Sequence, residues 1–107
     1  MEIQQHKIYF IDIDDTICTL TSSMQYETAQ PIPKAIELVN KLYAEGHQII
    51  FWTARGTKSG IDWRQLTEGQ LLSWGVQYHE LRFGKPVYDF FIDDKNINSR
   101  DWLDGKA

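Results

Sequence analysis

The sequence predicts one α/β domain over residues 1–107, in which helices cover a parallel sheet in a three-layer α/β/α arrangement. Apolar runs of strand length alternate with segments of helix length, which is typical of parallel sheets with right-handed crossovers. The runs do not alternate polar with apolar residues, as expected of strands that are buried on both faces. Parallel sheets bind ligands beyond the carboxyl ends of their strands, and three of these runs end in polar residues.

Four strands and three helices account for most of the chain. Pro33 suits the first turn of the first helix, and Gly46 ends its pattern. Ser59 and Asp62 resemble a capping box at the start of the second helix. The predicted strands are 8–11, 48–52, 76–81 and 88–92, and the predicted helices are 33–44, 59–74 and 98–103.

Two carboxylates follow the first predicted strand. The run Ile-Tyr-Phe-Ile at 8–11 leads directly into Asp12 and Asp14, and Thr16 follows two residues later. An Asp-x-Asp-x-Thr pattern is also typical of an ordinary strand-to-loop corner, where carboxylates and hydroxyls act as turn and cap residues. This simpler interpretation, an ordinary corner, is disfavoured because polar residues recur at the ends of the later predicted strands.

Polar residues recur at the later strand ends. The strand 48–52 leads into Thr-Ala-Arg-Gly at 53–56, and the last predicted strand leads into Asp93 and Asp94. Between them lies Lys85, whose neighbours in Phe-Gly-Lys-Pro favour a defined turn. The sequence therefore offers a hydroxyl, a cation and a second acid pair at one edge of the predicted sheet.

The order acid pair, threonine, lysine, acid pair at strand ends resembles the four motifs of the haloacid dehalogenase superfamily, and specifically its phosphatases. The likeness spans most of the chain. It implies the Rossmann-like core of that superfamily without a cap domain, because the intervals between the motifs leave no room for an inserted one. It also implies that Asp12 is the nucleophile and becomes transiently phosphorylated, and that Asp14 is the general acid and base.

The resemblance implies further roles for the other motifs. Thr53 and Lys85 would hold the phosphoryl group, as a donor and a point charge. A magnesium ion would be needed to offset the charge of the phosphate. The ligands implied for Mg²⁺ are Asp12, the backbone carbonyl of Asp14, and Asp93, with Asp94 beside them.

Two charged residues near these motifs have open interpretations. Arg55 is a candidate for bidentate binding of phosphate or of a second anionic group, and an ordinary surface guanidinium is the alternative. Asp15 departs from the family pattern, since many members have glycine at this position. We interpret Asp15 as structural.

Composition limits the partners and the compartment. The net charge is −4 without a cluster of Lys or Arg, which disfavours binding to nucleic acid or to an anionic membrane and favours a small phosphorylated substrate. Cys18 is the single cysteine and lies in an apolar stretch, so we interpret it as a packing residue. With no signal-like amino terminus or long apolar segment, the chain is expected in the cytoplasm. The oligomeric state stays open, and either a homo-oligomer partner or a flap at 18–30 would cover the site.

Several functions share parts of these motifs. The motifs are similar to those of short phosphatases of capsule and surface-polysaccharide biosynthesis, which implies a sugar phosphate or a related metabolite as substrate. Polynucleotide and nucleotide phosphatases are the alternative within the family. A two-component receiver domain and a phosphate-binding module without turnover are alternatives of another class. A receiver would place its phosphorylated aspartate before the threonine at the end of a middle strand, whereas here that strand ends in Thr53 itself.

Overall fold

A parallel three-stranded sheet forms the centre of the structure, a computed structural model that describes residues 5–22 and 25–106. The strands β1 (Ile8–Ile11), β2 (Gln48–Trp52) and β3 (Glu80–Arg82) lie side by side in that order, with β2 in the middle. Because all three strands are parallel, their carboxyl ends meet at one edge, as the sequence predicted.

Three α-helices accompany the sheet, and the first and third agree with prediction. Helix α1 (Pro33–Ala44) begins with proline in its first turn. Helix α3 (Ser99–Leu103) is capped by Asn98, whose side chain accepts a hydrogen bond from the backbone of Arg100 at 2.9 Å. Helix α2 (Arg64–Ser73) follows β2 and precedes β3 in the sequence. None of the described helices is long and apolar enough to cross a membrane.

The hydrophobic core lies on one face of the sheet. Ile49 and Phe51 of β2 are fully buried there, together with Val39 of α1 and Leu71 of α2. The side chains on the opposite face belong to alternate positions of the strands, and Phe10 on that face is 53% exposed. The expectation that β1 is buried on both faces is therefore wrong for one of them.

The second helix begins at Arg64, so the predicted start at Ser59 is wrong. Residues 56–60 form a turn instead, in which the backbone N–H of Gly60 donates to the carbonyl of Gly56 at 2.8 Å. Both glycines have positive φ, which an α-helix does not admit. Asp62 still serves the helix start, since its carboxylate accepts from the backbone N–H of Arg64 at 3.0 Å.

The third strand is shorter than the predicted 76–81. The backbone N–H of Gln77 donates to the side chain of Asn40 at 2.7 Å, so this part of the chain is bonded to α1 and not to β2. The backbone N–H of His79 makes the first hydrogen bond to β2, to the carbonyl of Ile49 at 2.9 Å, and the paired register begins with Glu80 opposite Ile50.

No strand forms at 88–92, so this prediction is wrong for the chain as the structure describes it. The segment is apolar, yet Phe90 is 86% exposed and Ile92 is 96% exposed. It has strand-like residues but pairs with none of the three strands.

The segment 18–30 has the paired ends of the predicted flap. Thr19 and Gln30 are joined by two hydrogen bonds, one of them from the backbone N–H of Thr19 to the carbonyl of Gln30 at 2.8 Å. A short 3-10 helix, Tyr26–Thr28, lies between these ends. Residues 23 and 24 at the middle of the segment lie outside the described residues.

Gly56 and Gly60 allow a matched test of this turn. Both have positive φ, so alanine at either position costs about 1–2 kcal/mol of stability. At Gly56 the added methyl group would also lie against the carbonyl oxygen of Ile61, whereas at Gly60 it would meet open space. We expect Gly56→Ala to lose at least about 1 kcal/mol more than Gly60→Ala in urea denaturation, the usual cost of overpacking. Equal losses would show that the turn is not packed as described.

Candidate active site

An aspartate and a lysine from distant parts of the sequence meet at the carboxyl edge of the sheet. Asp12 follows β1 directly, and its Oδ2 lies 3.5 Å from Nζ of Lys85, which follows β3. The backbone N–H of Lys85 donates to the carbonyl of Thr53 at 3.1 Å, which fixes this loop to the end of β2. The structure therefore brings together the opening acid motif, the threonine motif and the lysine motif.

The Lys85 ammonium group is confined by aromatic rings as well as by Asp12. It lies 5.4 Å from the ring centre of Tyr88 and 6.0 Å from that of Trp52. Cations are attracted to the faces of such rings at these distances. The lysine side chain is mostly buried, whereas the Asp12 side chain keeps 38% of its surface exposed. A ligand can therefore reach the carboxylate with the cation already beside it.

The ionisation of Asp12 reflects its position at this edge. Burial raises the pKa of the Asp12 carboxyl above its ordinary value, and the nearby charge of Asp14 acts in the same direction. The Lys85 ammonium group and the backbone N–H of Ile13 oppose this rise in the pKa. Oδ1 of Asp12 accepts the Ile13 hydrogen bond at 2.9 Å, so Oδ2 is the oxygen that faces the lysine.

Thr53 is almost fully buried where β2 ends. Its hydroxyl oxygen accepts a hydrogen bond from the backbone N–H of Arg55 at 3.1 Å, which shapes the turn that follows the strand. A hydroxyl that accepts one bond keeps its own proton for another acceptor. Thr53 therefore retains the donor that its predicted role needs.

Asp14 is held by a buried arginine. Nε and Nη2 of Arg55 donate to the two carboxylate oxygens of Asp14, each at 2.9 Å, in a fork geometry that is the strongest form of this contact. Arg55 is only 2% exposed, so the alternative of an ordinary surface guanidinium is wrong. The pair ties the loop after β1 to the loop after β2.

All five N–H groups of Arg55 have partners in the protein. Besides the pair with Asp14, Nη1 donates to the hydroxyl of Thr67 at 3.1 Å and to the side-chain oxygen of Gln70 at 2.6 Å, and Nη2 also contacts the sulfur of Cys18 at 3.9 Å. The guanidinium carbon lies 4.7 Å above the ring of Tyr26. No donor is left for a phosphate group, so the geometry assigns Arg55 to the positioning of Asp14.

Sequence reasoning missed the partners of Arg55 on α2. Thr67 lies four residues after Trp63 and four before Leu71, so it occupies the apolar stripe of the helix, where a polar side chain is unusual. Gln70 also donates to the carbonyl of Tyr26 at 2.7 Å, which links α2 to the 3-10 helix in the flap. The position of Thr67 in the apolar stripe of α2 was the one feature of the sequence that pointed to a buried polar partner there.

Asp15 and Cys18 have structural roles, as interpreted from the sequence. Asp15 has a φ of +62°, a conformation that aspartate tolerates better than most residues, and its carboxylate lies 3.8 Å from Nη2 of Arg100. Cys18 is fully buried. Burial, assisted by the charge of Asp14, raises the pKa of the Cys18 thiol to about 12, so the reactive thiolate is not populated near neutral pH.

Asp93 and Asp94 do not reach the corner formed by Asp12 and Lys85. Both are exposed at the end of the apolar segment 88–92. The side chain of Asp93 accepts a hydrogen bond from the backbone N–H of Lys95 at 2.8 Å, which is the main reason that its pKa is lowered. Asp94 lies 3.8 Å from Nζ of Lys95. Among the described residues, no hydrogen bond or ion pair joins this acid pair to Asp12 or Lys85.

The described residues of one chain do not complete a magnesium site. Within 5–22 and 25–106, no group of three His, Cys, Asp or Glu side chains lies close enough to hold a metal ion. Asp12 is in place, but the side chain of Asp14 is engaged by Arg55, and Asp93 is elsewhere. Magnesium is usually bound through one or two carboxylates. The donor set therefore fits the ion only if a further carboxylate reaches Asp12.

A cavity of about 150 Å³ opens beside the turn that contains Arg55. It combines aromatic rings with polar side chains and glycine backbone, a mixture suited to a small polar ligand. Its lining residues include Thr57, Asp62, Trp63, Phe83 and Gly84. Because Thr57 donates to the carbonyl of Lys85 at 2.8 Å, the cavity adjoins the lysine loop.

Comparison with known proteins identifies a shared fold. No family model matches the chain, and no curated protein matches it. The structure is similar to the crystal structure of a structural-genomics target from Vibrio cholerae, with a TM-score of 0.82 and 23% sequence identity. The likeness covers 91% of this chain and 87% of that one. It shows that the arrangement of strands and helices is shared with that protein.

The Arg55 and Asp14 pair predicts a large loss of stability when the arginine is removed. Arg55→Met leaves the mostly buried carboxylate of Asp14 without its partner, which should lower the free energy of unfolding by about 3–5 kcal/mol. Arg64 forms an exposed ion pair with Glu68, so Arg64→Met should cost about 1 kcal/mol or less. Chemical denaturation of both variants measures the difference.

The double variant Asp14→Asn with Arg55→Met is the control for this interpretation. Because it removes both charges, it should recover part of the stability that Arg55→Met loses alone. If Arg55→Met costs no more than Arg64→Met, the buried pair does not hold these loops together.

Proposed function

We propose that the protein is a capless phosphatase of the haloacid dehalogenase superfamily, which hydrolyses phosphate monoesters through an aspartyl-phosphate on Asp12. The observation that supports this most directly is the contact between Asp12 and Lys85 at the carboxyl edge of the sheet. These residues are far apart in sequence, and their meeting beside Thr53 is what the order of the motifs requires.

The proposed chemistry has two steps. Asp12 attacks phosphorus, and the bond between phosphorus and the leaving oxygen breaks as the aspartyl-phosphate forms. Water then attacks phosphorus, which releases inorganic phosphate and restores the carboxylate. Lys85 stays next to the reacting group as a fixed charge, and the Thr53 hydroxyl offers a hydrogen-bond donor to a phosphoryl oxygen.

Asp14 would transfer the protons in both steps. It would donate a proton to the leaving oxygen and then accept one from the attacking water. A carboxylate has about four acceptor positions; the Arg55 fork uses one on each oxygen and the Cys18 thiol contacts Oδ1 at 3.5 Å, so Oδ2 keeps a position open toward a ligand. The fork fixes the direction of the carboxylate, which is the requirement for a positioned acid and base.

Magnesium is part of the proposal. When bound, it would neutralise charge on the phosphate and orient it toward Asp12. Among the described residues of a single chain, Asp12 lies at the site and would hold the ion, whereas Asp93 is exposed and bonded to its own turn.

The proposed fold is the three-layer Rossmann-like core of the superfamily. The succession of β1, α1, β2, α2 and β3 with all strands parallel supports it, as does the likeness to the crystal structure from Vibrio cholerae. One domain without a cap would leave the edge of the sheet open to substrate.

The proposed substrate is a sugar phosphate or a related metabolite of surface-polysaccharide biosynthesis. The cavity beside the lysine loop is small and mixes aromatic with polar residues, as a sugar ring would need. The net charge of −4 disfavours the alternative, a polynucleotide substrate. A panel of sugar phosphates, nucleotides and 3′-phosphorylated oligonucleotides separates these substrates by their kcat/KM values.

Asp12→Asn is the direct test of the nucleophile. With a chromogenic phosphate ester and magnesium, we expect repeated turnover by the unaltered protein, and a loss of about 10³-fold or more in the variant. Asp15→Asn is the matched control, since asparagine tolerates the positive φ of Asp15 and should stay within about threefold of the unaltered protein.

Chelation by EDTA completes this test. It should abolish the activity, and added magnesium should restore it. A receiver domain or a non-catalytic phosphate-binding module would show no sustained turnover, and full activity of Asp12→Asn would exclude the proposed nucleophile.

Asp14→Asn tests the acid and base role through the leaving group. The variant should lose far more activity, by about 10²-fold, on alkyl phosphates than on an aryl phosphate whose leaving group needs no proton. A fluorinated or nitrated phenyl phosphate compared with a hexose phosphate gives this ratio. Equal losses on both substrates would show that Asp14 does not protonate the leaving oxygen.

A further inference from the structure

The most unusual feature of the surface is an apolar segment that pairs with none of the described strands. We call residues 87–92, with sequence Val-Tyr-Asp-Phe-Phe-Ile, the arm. Phe90 and Ile92 are 86% and 96% exposed, although aromatic and β-branched residues favour buried strands. The radius of gyration is 14.1 Å, against about 13 Å for a compact chain of this length. The arm therefore leaves much of its apolar surface in water.

A strand edge of the same chain is also unpaired. β1 lies at one side of the sheet and pairs only with β2 among the described strands. Its free edge offers unused N–H and C=O groups, and Phe10 next to it is half exposed. The arm lacks a strand partner and β1 lacks an outer neighbour among the described strands, so each could satisfy the backbone hydrogen-bonding groups of the other.

The arm cannot pair with β1 of its own chain and also bring Asp93 to Asp12. Parallel pairing that sets Asp93 level with Asp12 would set Asp89 beside Ile8, at the far end of β1. The backbone N–H of Lys85 donates to Thr53, and the N–H of Thr53 donates to Arg82, so Lys85 lies on the β3 side of the sheet.

The distance between these two places is too large for the chain that joins them. From the β3 position to a position outside β1 is three strand spacings, or about 14 Å. Ile8 is level with Gln48, which lies about 16 Å along the strands from Thr53. The straight-line separation is therefore about 21 Å, whereas four residues from Lys85 to Asp89 reach at most about 14 Å.

Antiparallel pairing within the chain does not help, because it would direct Asp93 toward the amino end of β1 and away from Asp12. Parallel strands within one chain need a crossover of about a dozen residues, which this sequence does not provide between Lys85 and the arm. A strand supplied by another molecule has no such limit.

We propose that the arm of one copy of this chain pairs in parallel with β1 of a second copy, and that Asp93 of the arm completes the site at Asp12 of that second copy. The exchange is reciprocal, so two copies related by a two-fold axis form a dimer with two shared sites. The role given to Asp93 rests on the proposed function, whereas the pairing of the arm with β1 does not.

The side chains of the arm suit this register. With Asp93 level with Asp12, Phe90 and Ile92 lie on the face of the sheet that bears Tyr9 and Ile11, which is the face with the hydrophobic core. Asp89 falls on the opposite, open face. The two most exposed apolar residues of the arm would therefore become buried, and its one charged residue would stay in water.

Both ends of the arm are anchored to its own chain. The loop before it is held by the bond from Lys85 to Thr53, and α3 after it packs on α1. Arg100 of α3 also lies 3.8 Å from Asp15. The arm can therefore leave its own chain and return without unfolding the rest of the protein.

Cross-linking tests the pairing without any assay of activity. Two differently tagged variants, Phe10→Cys and Phe91→Cys, would be expressed together, since the proposed register sets these positions side by side. Oxidation should give a covalent species that contains both tags, and neither variant alone should give it. Cys18 is buried in both variants and should not react.

Either of two cross-linking results overturns the proposal. One is a mixture that stays unlinked, and the other is a double variant in a single chain that links only within itself. Sedimentation equilibrium gives a second measurement, because the protein should have twice the mass of the monomer. A monomer at micromolar concentration would also overturn it.

Ile92→Asp should turn the dimer into a monomer while the circular dichroism of the chain is retained, because the side chain is exposed in the single chain. Leu72→Asp is the matched control, an exposed apolar residue on α2 that should leave the dimer intact. A dimer that survives Ile92→Asp contradicts the pairing.

Mixing of inactive variants then links the arm to the site. Asp12→Asn and Asp93→Asn should each be inactive alone, and co-expression should restore about a quarter of the activity, because half of the randomly assorted dimers then contain one intact site. No restoration, with both single variants inactive, would place the two aspartates in the same chain. If the unaltered protein itself lacks activity, the proposed function fails while the cross-linking still decides the pairing.

Discussion

The buried pair of Arg55 and Asp14 is the contact on which the local structure depends. A guanidinium without water needs every N–H satisfied, and here its hydrogen-bond partners come from the loop after β1 and from helix α2. The loop after β1, the loop after β2 and helix α2 are thereby fixed to one another. Because Asp14 is two residues from Asp12, the same contact restrains the direction in which Asp12, the proposed nucleophile, leaves the sheet. The arginine thus stabilises the site without touching a substrate.

Sequence patterns predicted the parts of the fold that local forces decide. β1, β2, α1 and α3 were found close to their predicted bounds, because apolar runs, a first-turn proline and a capping asparagine act within a few residues. The start of α2 was missed because two glycines with positive φ form a turn there. The burial of Arg55 was missed because its partners on α2 are distant in sequence, and only Thr67 in an apolar stripe pointed to them.

The arm shows a different limit of sequence reasoning. Its composition favours a strand, but a strand is stable only with a neighbour, and the composition does not say which chain provides one. The four residues from Lys85 to Asp89 are too short to reach the outer side of β1 in the same chain. This comparison can be made only when the register of the three strands is known. Of the predicted site, Asp12, Thr53 and Lys85 are brought together in one chain, whereas Asp93 is not. Under the proposed pairing, a strand at 88–92 would form only against a second copy of the chain.

Charge explains why an incomplete site would need a second chain. A phosphate group brought to Asp12 meets repulsion of about 4 kcal/mol for each pair of unit charges at about 4 Å, taking an effective dielectric constant near 20. Lys85 compensates one unit of this negative charge, and Arg55 compensates none of it because Asp14 already uses its charge. A divalent cation is then the remaining way to balance the phosphate, and a cation at Asp12 needs a further carboxylate to hold it. In the proposed dimer, the second copy would supply both the carboxylate that charge balance requires and the strand partner that the arm lacks.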